Sequence, residues 1–151
     1  MTDIVAPLTR SRMMASIRGK DTKPELLVRS GLHKLGLRFR LHRRDLPGKP
    51  DLVFPRYRVV IFVHGCFWHR HTGCKLAYKP AANEKYWAEK FQENVERDQR
   101  QVELLLQAGW RVFVIWECSL RGNDLTSLYS SVYFELLSGK VHYLEWPINK
   151  K

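Results

Sequence analysis

The chain has 151 residues, of which 44% are hydrophobic and 27% are charged, so its composition is that of a globular protein and excludes an intrinsically disordered one. No apolar run approaches the roughly 18 residues that a membrane-spanning helix needs, and the basic N-terminus lacks the apolar stretch of a secretory signal. We therefore predict a single cytoplasmic domain over residues 1–151 that does not act in a membrane.

The charge predicts a polyanionic partner. The net charge is +11 at pH 7, and residues 1–50 carry +8 of it, from twelve Lys and Arg against four Asp and Glu. Nucleic acid is the commonest polyanion that such a chain binds. Two other interpretations stay open: a solvated basic face that serves only solubility, and a membrane surface, which the lack of a basic helix with a continuous apolar face disfavours.

Two helices are predicted near the start of the chain. Residues 9–19 form a short basic helix. A second helix begins near Thr22, which suits the N-cap position, while Pro24 suits the first turn and Glu25 lies at capping-box distance from Thr22. Gly36 would end this helix. Its buried side chains would be Leu26, Leu27, Leu32 and Leu35.

Strands are predicted next. Residues 37–42 alternate between apolar and basic side chains, which is typical of a strand with one buried face. The inward side chains would be Leu37, Phe39 and Leu41. Residues 51–54 and 58–63 are short apolar runs separated by a proline-containing turn, which favours a β-hairpin. The second run is apolar almost throughout, so we expect it in the centre of the sheet, covered on both faces.

The second half of the chain adds two helices and one strand. Residues 84–107 have the periodicity of a long amphipathic helix. Its apolar stripe would consist of Trp87, Phe91, Val95, Val102 and Leu106. Residues 111–116 form a buried strand, residues 124–137 a helix, and residues 141–147 an aromatic tail. This order predicts an α/β fold with a central mixed sheet flanked by helices.

The segment IFVHGCFWHRHTGC, residues 61–74, contains three of the six histidines and two of the three cysteines. Three of its side chains have metal-ligand spacing, with four and two residues intervening, and the third cysteine follows the predicted strand 111–116. If that strand is the parallel neighbour of strand 58–63, their ends converge. The resulting set would be Cys66, His71, Cys74 and Cys118, which a structural zinc ion prefers. The alternative is three buried free thiols.

A second site is predicted around Asp51. This residue opens the first strand of the hairpin, so it should lie near the end of the second strand, around Val63 and His64. A carboxylate and a main-chain carbonyl are ligands for a hard divalent cation. A histidine nearby can deprotonate water, and both His64 and His69 are left over by the zinc set.

These residues bring a resemblance into view. Pro50 and Asp51 before a hydrophobic hairpin strand begin the PD-(D/E)-x-K nuclease pattern. The segments PGKPD, VIFVHGCFWHRHTGC, NVERD and GWRVFVIWEC resemble those of the very short patch repair (Vsr) DNA mismatch endonucleases, and the likeness runs from about Thr9 to Cys118. It implies a restriction-endonuclease-like fold and a magnesium-dependent nick in double-stranded DNA. The nick falls 5′ to the T of a T:G mismatch that arises from deamination of 5-methylcytosine.

The resemblance also implies roles for particular residues. Asp51 and the main-chain carbonyl of Val63 would bind Mg²⁺, and His69 would be the general base or its relay. The catalytic group would consist of Asp51, His64, His69 and Glu25. The Zn²⁺ ligands would be the set already derived from spacing. Two departures are visible: the family commonly has threonine where this chain has Val63, and the His71–Cys74 spacing is one residue longer than expected.

DNA contacts are implied in two places. Aromatic side chains would insert between bases from the major-groove side, and the N-terminal helix would lie in the minor groove. The inserting residues would be Phe67, Trp68 and Trp87, and the helix would contribute Met14, Ile17, Arg10, Arg12 and Arg18. Two alternatives stay open: Phe67 and Trp68 could pack beneath the metal loop, and the spacing of Trp87 equally suits a core residue.

The function expected from the sequence is therefore mismatch-specific nicking by a monomer that works with other mismatch-repair proteins on the nucleoid of a prokaryote. A related nickase or restriction-linked nuclease with another specificity is the first alternative. A zinc-stabilised DNA-binding module without catalysis is the second.

Overall fold

The computed structural model describes residues 21–122 and 124–148. The predicted basic helix at residues 9–19, with its five expected DNA-contacting residues, lies outside the described residues. Within them the elements are, in chain order, α1 (Lys23–Lys34), β1 (Arg40–Leu41), β2 (Leu52–Phe54), β3 (Val59–His64), α2 (Glu84–Gln107), β4 (Arg111–Trp116), a short 3₁₀ helix (Glu117–Leu120), α3 (Leu125–Ser138) and β5 (Tyr143–Trp146).

One sheet organises the described part of the chain. Its strands lie in the order β1-β2-β3-β4-β5, and the first three are antiparallel neighbours. β3, β4 and β5 run parallel. β3 and β4 are buried at every position, as central strands covered on both faces must be. The predicted α/β fold with a central mixed sheet flanked by helices is confirmed.

Two apolar clusters cover the two faces of the sheet. Because side chains alternate along a strand, Ile61 and Phe113 face one cluster while Val60 and Val112 face the other. The first cluster is completed by α1 and α3, and the second by α2 and the segment after β3. In the part of the chain that the structure describes, no helix is long and apolar enough to cross a membrane.

The start of α1 agrees with its sequence, but its buried face does not. The side chain of Thr22 accepts a hydrogen bond from the Glu25 amide at 3.4 Å, which is the expected cap. Val28 and Leu32, four residues apart, form the stripe that faces the sheet. The prediction that Leu26 and Leu35 are buried is wrong: Leu26 lies off this stripe, Leu35 is the C-cap residue after the end of the helix, and both are exposed.

The strand predicted over residues 37–42 is shorter than expected. Only Arg40–Leu41 pairs with β2, at two positions. Leu37 and Phe39 do pack against the core. Leu41 is exposed, against the prediction, because β1 is an edge strand with two paired residues.

In the second half, the bounds of α2 and β4 agree with the prediction, while two details differ. Near the end of α2 the buried leucine is Leu105, whereas the predicted Leu106 is exposed. The predicted aromatic tail is the strand β5, in which Trp146 is buried and lies opposite Ile115. Because β5 lies at the edge of the sheet, its sequence lacks the continuous apolar run of the central strands β3 and β4.

Close packing of α1 against α3 depends on Gly31. A Cβ atom at this position would lie 2.3 Å from the ring of Tyr129, whose hydroxyl donates a hydrogen bond to the Leu27 carbonyl at 2.9 Å. We expect Gly31→Ala to lower the free energy of unfolding by about 1–3 kcal/mol, because the ring must move and the hydrogen bond is lost. Denaturant unfolding measures this.

The matched control is Ser30→Ala, one residue earlier on the exposed face of α1, which should change the stability by less than about 0.5 kcal/mol. Unchanged or higher stability of Gly31→Ala, as the better helix propensity of alanine alone would give, contradicts the prediction.

Candidate active site

Two parallel strands bring distant cysteines together. β3 and β4 pair along their whole length, and their last pair is His64 opposite Trp116. The chain therefore leaves both strands at the same edge of the sheet. The side chains that meet there are Cys66, His71, Cys74 and Cys118. We call this group the cysteine–histidine cluster, and it is the set predicted from spacing.

The cysteine–histidine cluster has the dimensions of a tetrahedral metal site. The Nδ1 atom of His71 lies 3.7 Å from Sγ of Cys66 and 3.4 Å from Sγ of Cys118. One ligand atom from each of the four residues lies within 4.8 Å of the others. With metal–ligand bonds of about 2.0–2.3 Å, neighbouring ligands of a tetrahedral ion stand roughly 3.3–3.8 Å apart. The four residues therefore fit a metal ion with four ligands, and the cluster itself offers no fifth ligand.

The surroundings of the cluster hold its members in place. The ring of His71 stacks on Trp116 with centroids 4.3 Å apart, and the Trp116 indole donates a 2.7 Å hydrogen bond to Glu145. The amide of Cys118 donates to Sγ of Cys66 at 3.4 Å. Without a metal, burial raises the pKa of the Cys66 thiol to about 12. A bound cation would reverse this effect, because it stabilises the thiolate.

Asp51 lies where the hairpin ends, as predicted. The last pair of β2 and β3 is Leu52 opposite Ile61. Beyond this pair the Asp51 carboxylate takes the place of a main-chain acceptor on the neighbouring strand: it accepts a 2.7 Å hydrogen bond from the Val63 amide. Because the N–H and C=O groups of one strand residue point to the same side, the Val63 carbonyl also faces Asp51. These two oxygens suit a hard divalent cation.

Glu25 lies next to this carboxylate. It is a buried acid, and its charge acts on Asp51. Burial, and then the charge of Glu25, raise the pKa of Asp51 to about 7. Two carboxylates that lie close together with little solvent repel each other when both are ionised. A cation bound between them would relieve this repulsion, so the pair attracts one. Both line a cleft of about 1130 Å³ together with His64 and His69.

The two predicted histidines form a stacked pair. The rings of His64 and His69 are nearly parallel, with centroids 3.8 Å apart. Nδ1 of His69 is hydrogen-bonded to the Asp98 carboxylate at 2.6 Å. Burial, and then the charges of His69 and Arg97, hold the pKa of His64 well below its usual value. A neutral imidazole ring can accept a proton from water in the cleft, and a carboxylate such as that of Asp98 can orient the ring for this.

Sequence reasoning missed Asp98 and Asn94. Asn94 is buried and donates to the Trp68 carbonyl at 3.0 Å, so α2 anchors the loop that carries His69. The available signal was their spacing. The two polar residues are four apart, and Asn94 follows the buried Phe91 by three, so they share the inward face of α2. Arg29 and His42, which lie beside Glu25, were also missed.

The aromatic side chains form a packed group at the same cleft. The Phe67 ring lies 5.0 Å from Trp68, 5.6 Å from Trp87 and 5.2 Å from Phe91. Phe67, Trp68 and Trp87 are all half-buried. The rings shield one another in part, and the insertion of Phe67 and Trp68 between bases stays a prediction. Phe67 and Trp68 nevertheless line the cleft that contains Asp51.

Comparison with known proteins identifies one family. The family model described as "DNA mismatch endonuclease Vsr" matches residues 2–75. The chain is 52% identical over 128 residues to "Type II nicking enzyme V.XorIIP" of Xanthomonas oryzae, which covers 85% of this chain and 92% of the relative. It is 47% identical to "DNA mismatch endonuclease Vsr" of Escherichia coli, over 82% of this chain and 79% of the relative. It is 43% identical to "Type II nicking enzyme V.NmeAIP" of Neisseria meningitidis, over 83% and 89% respectively.

The raised pKa of Asp51 predicts a pH-dependent stability without divalent cations. An unfolded aspartate titrates near about 3.9, whereas burial raises the pKa of Asp51 to about 7 in the folded chain. The folded state therefore loses stability as pH rises between these values. We expect Asp51→Asn to stabilise the chain, by a gain that is small near pH 4–5 and reaches about 1–4 kcal/mol at pH 8.

Urea unfolding of both proteins across this pH range measures the gain. The control is Asp45→Asn, an exposed carboxylate whose pKa is lowered by the Arg43 hydrogen bond, and it should give no gain at pH 8. If the difference in stability between Asp51→Asn and the wild type does not vary with pH, burial does not raise the pKa of Asp51 as described.

Proposed function

The chain belongs to the Vsr family of DNA mismatch endonucleases, and on that premise we propose that it nicks one strand of double-stranded DNA 5′ to the T of a T:G mismatch. The reaction is a magnesium-dependent hydrolysis of the phosphodiester. The product would start very short patch repair of a deaminated 5-methylcytosine.

One observation carries the proposal. Asp51, held by the Val63 amide, shares a cleft with Glu25 and the stacked pair His64 and His69. A site for a hard cation beside a site for a proton acceptor is what hydrolysis of a phosphodiester requires. The DNA backbone is a polyanion, and the net charge of +11 favours its approach.

Asp51 and the Val63 carbonyl would hold magnesium, and because only the carbonyl is needed, valine in place of threonine is tolerated. A bound magnesium ion would neutralise charge on the scissile phosphate and lower the pKa of a water molecule. His69 is the proposed general base. Its Nδ1–H donates to Asp98, so Nε2 carries the lone pair that takes the proton of the attacking water. His64 stacks on His69 and keeps the ring in this orientation.

We assign zinc to the cysteine–histidine cluster. Three thiol sulfurs and one imidazole nitrogen are the ligands that a structural zinc ion prefers, and a closed set of four leaves no position for substrate. The cluster connects the loop that follows β3 and carries His69 to the end of β4, so the ion would stiffen this loop and thereby fix His69 against His64 at the end of β3. The longer His71–Cys74 spacing is accommodated, since all four ligand atoms converge.

The aromatic group is the proposed wedge. Phe67, Trp68 and Trp87 would insert between base pairs, and because they already support one another, little ordering would be needed on binding. A T:G wobble pair opens at lower cost than a Watson–Crick pair, which favours it as the target. The N-terminal residues would add minor-groove contacts from Met14, Ile17, Arg10, Arg12 and Arg18.

A second candidate function has support from the relatives. Two of them are named type II nicking enzymes, so a nickase with another specificity is a real alternative within the same chemistry. A DNA-binding module without catalysis is disfavoured, because Asp51, Glu25 and the histidine pair would then have no shared role. The proposed monomer suits an asymmetric lesion, and the proposed location is the nucleoid, where the substrate lies and other mismatch-repair proteins act.

Strand-resolved cleavage tests the proposal. Duplexes carrying T:G, A:C or no mismatch, with each strand labelled separately and flanking bases randomised, are incubated with Mg²⁺ or EDTA. We expect a magnesium-dependent nick in the T strand, immediately 5′ to the T. Asp51→Ala should slow it by about 100-fold or more, the scale of losing one catalytic group, and keep DNA binding. Asp45→Ala is the matched control and should cleave normally.

Cleavage of both strands or of the matched duplex would leave a nuclease and contradict mismatch specificity. Intact DNA after incubation with protein that binds it would favour the non-catalytic module.

Metal analysis tests the zinc assignment. We expect the purified protein to contain about one zinc ion per chain. Cys118→Ser should lose it and lower the melting temperature by several degrees, since a structural zinc contributes directly to folding. Thr72→Ala, an exposed residue of the same loop, should keep the metal. Protein with no bound metal and three thiols that react freely would instead support the free-thiol interpretation.

A further inference from the structure

Arg29 lies at the centre of a group of side chains beside the Asp51 cleft. Its Nη2 atom is 2.7 Å from Oδ1 of Asp21, 3.1 Å from Oε2 of Glu25 and 2.8 Å from Nε2 of His42. These partners come from the segment before α1, the first turn of α1 and the residue after β1. A single guanidinium nitrogen thus joins three separate parts of the chain.

The place that Arg29 fills is one where a metal ion could otherwise bind. Ligand atoms of Asp21, Glu25 and His42 all lie within 4.8 Å of one another. A magnesium ion there would need oxygen ligands at about 2.1 Å, and the guanidinium nitrogen already stands among them. A second cation at this point would have to displace Arg29. The guanidinium group is itself a cation, so it supplies positive charge at this point without a metal ion.

Most of the Arg29 side chain is buried, and removing a charged group from water costs free energy. The exposed fractions of its side chain and that of Glu25 are 15% and 4%. Its Nε atom is buried and has no hydrogen-bond partner among the described residues. The backbone of His42 adopts a φ of 48°, which is unusual for a residue other than glycine. A largely desolvated cation and an unfavourable backbone conformation, both next to the carboxylates of Asp21 and Glu25, indicate that this arrangement has a role.

The effect of Arg29 extends to Asp51. His42 Nδ1 lies 4.0 Å from the Asp51 carboxylate, while its Nε2 contacts Arg29. The Arg29 guanidinium thus lies within ion-pair distance of Asp21 and Glu25, and the His42 imidazole connects it to Asp51. Arg29 therefore partly compensates the two neighbouring carboxylates, and it fixes the direction of Glu25 through Oε2.

We propose that Arg29 is a positioning residue of the nuclease, which holds Glu25 and His42 at the rim of the Asp51 cleft and sets the affinity of that cleft for its divalent ion. The inference rests on the proposed function, because it takes Asp51 as the metal ligand. Through its fixed charge Arg29 weakens metal binding relative to uncompensated carboxylates. Through its three contacts it keeps the side chains in the geometry that the reaction needs.

The test separates metal affinity from turnover. Mn²⁺ binding to the full chain without DNA is followed by electron paramagnetic resonance, and cleavage is measured at saturating Mg²⁺. For Arg29→Gln we expect Mn²⁺ to bind about 3- to 10-fold more tightly, because the carboxylates lose a nearby positive charge. The cleavage rate should fall by about 10-fold or more, because Glu25 and His42 lose their common anchor.

The matched control removes the same charge elsewhere. Arg56→Gln, an exposed arginine in the turn between β2 and β3, should change both quantities by less than about 2-fold, since exposed charges are screened over such distances. Arg29→Lys keeps the charge without the planar fork. It should retain the Mn²⁺ affinity of the wild type and still cleave slowly. This variant also decides the matter if Arg29→Gln does not fold.

A double-variant cycle also tests the direction in which each charge changes the Mn²⁺ affinity. Glu25→Gln should weaken Mn²⁺ binding, and combining it with Arg29→Gln should return the affinity toward that of the wild type, because the net charge of the pair is restored. Arg29→Gln with unchanged or weaker Mn²⁺ binding would overturn the inference, as would Arg29→Lys with a wild-type cleavage rate. If Asp51→Ala still binds Mn²⁺ as tightly as the wild type, the metal is not held by Asp51. That result would contradict the proposed function and not only the role of Arg29.

Discussion

The parallel pairing of β3 with β4 is the constraint on which the site depends. Two strands that run in the same direction end at the same edge of the sheet, so the loops that follow them must meet. His64 lies opposite Trp116, and the cysteine–histidine cluster forms just beyond this pair. Antiparallel pairing of β2 with β3 brings the start of one strand to the end of the other, which delivers Asp51 to the same edge. Backbone hydrogen bonds thus assemble residues that are more than fifty positions apart in the chain.

The site combines charges that would be unstable separately. Asp51 and Glu25 are poorly solvated carboxylates in close proximity. Arg29 and the Val63 amide stabilise their negative charge, and the proposed divalent ion would do so further. The histidine pair lies on the other side of the cleft, where Asp98 orients His69 and burial keeps His64 neutral. Carboxylates inside the cleft of a strongly basic chain suit the proposed nuclease, because the positive net charge would attract DNA while the carboxylates would retain the proposed cation.

Much of the fold could be predicted, and the differences have local causes. The bounds of α2 and β4 were recovered because each has one strong periodicity ended by a clear signal, Gly109 for the helix. The bounds of β1 and β5 were not, because an edge strand pairs on one side only, and its side-chain pattern does not mark where that pairing begins or ends. The buried face of α1 shifted by less than one turn, which exposed Leu26 and buried Val28. Such a rotation depends on α3, through the contact of Gly31 with Tyr129, and the sequence of α1 does not contain that information.

The sequence alone determined the chemistry of the site: cysteines and a histidine at metal-ligand spacing, an aspartate at the start of a hairpin, and two further histidines at a strand end. These follow from residue type and spacing, which are local properties. Only the tertiary structure decided which carboxylate orients His69, that Phe67 and Trp68 shield one another, and that Arg29 takes the central position among Asp21, Glu25 and His42. The contacts of Asp98 with His69 and of Arg29 with His42 join segments that are adjacent only because the sheet and helices pack as they do. No periodicity within one segment specifies a partner in another, so these contacts are decided by packing.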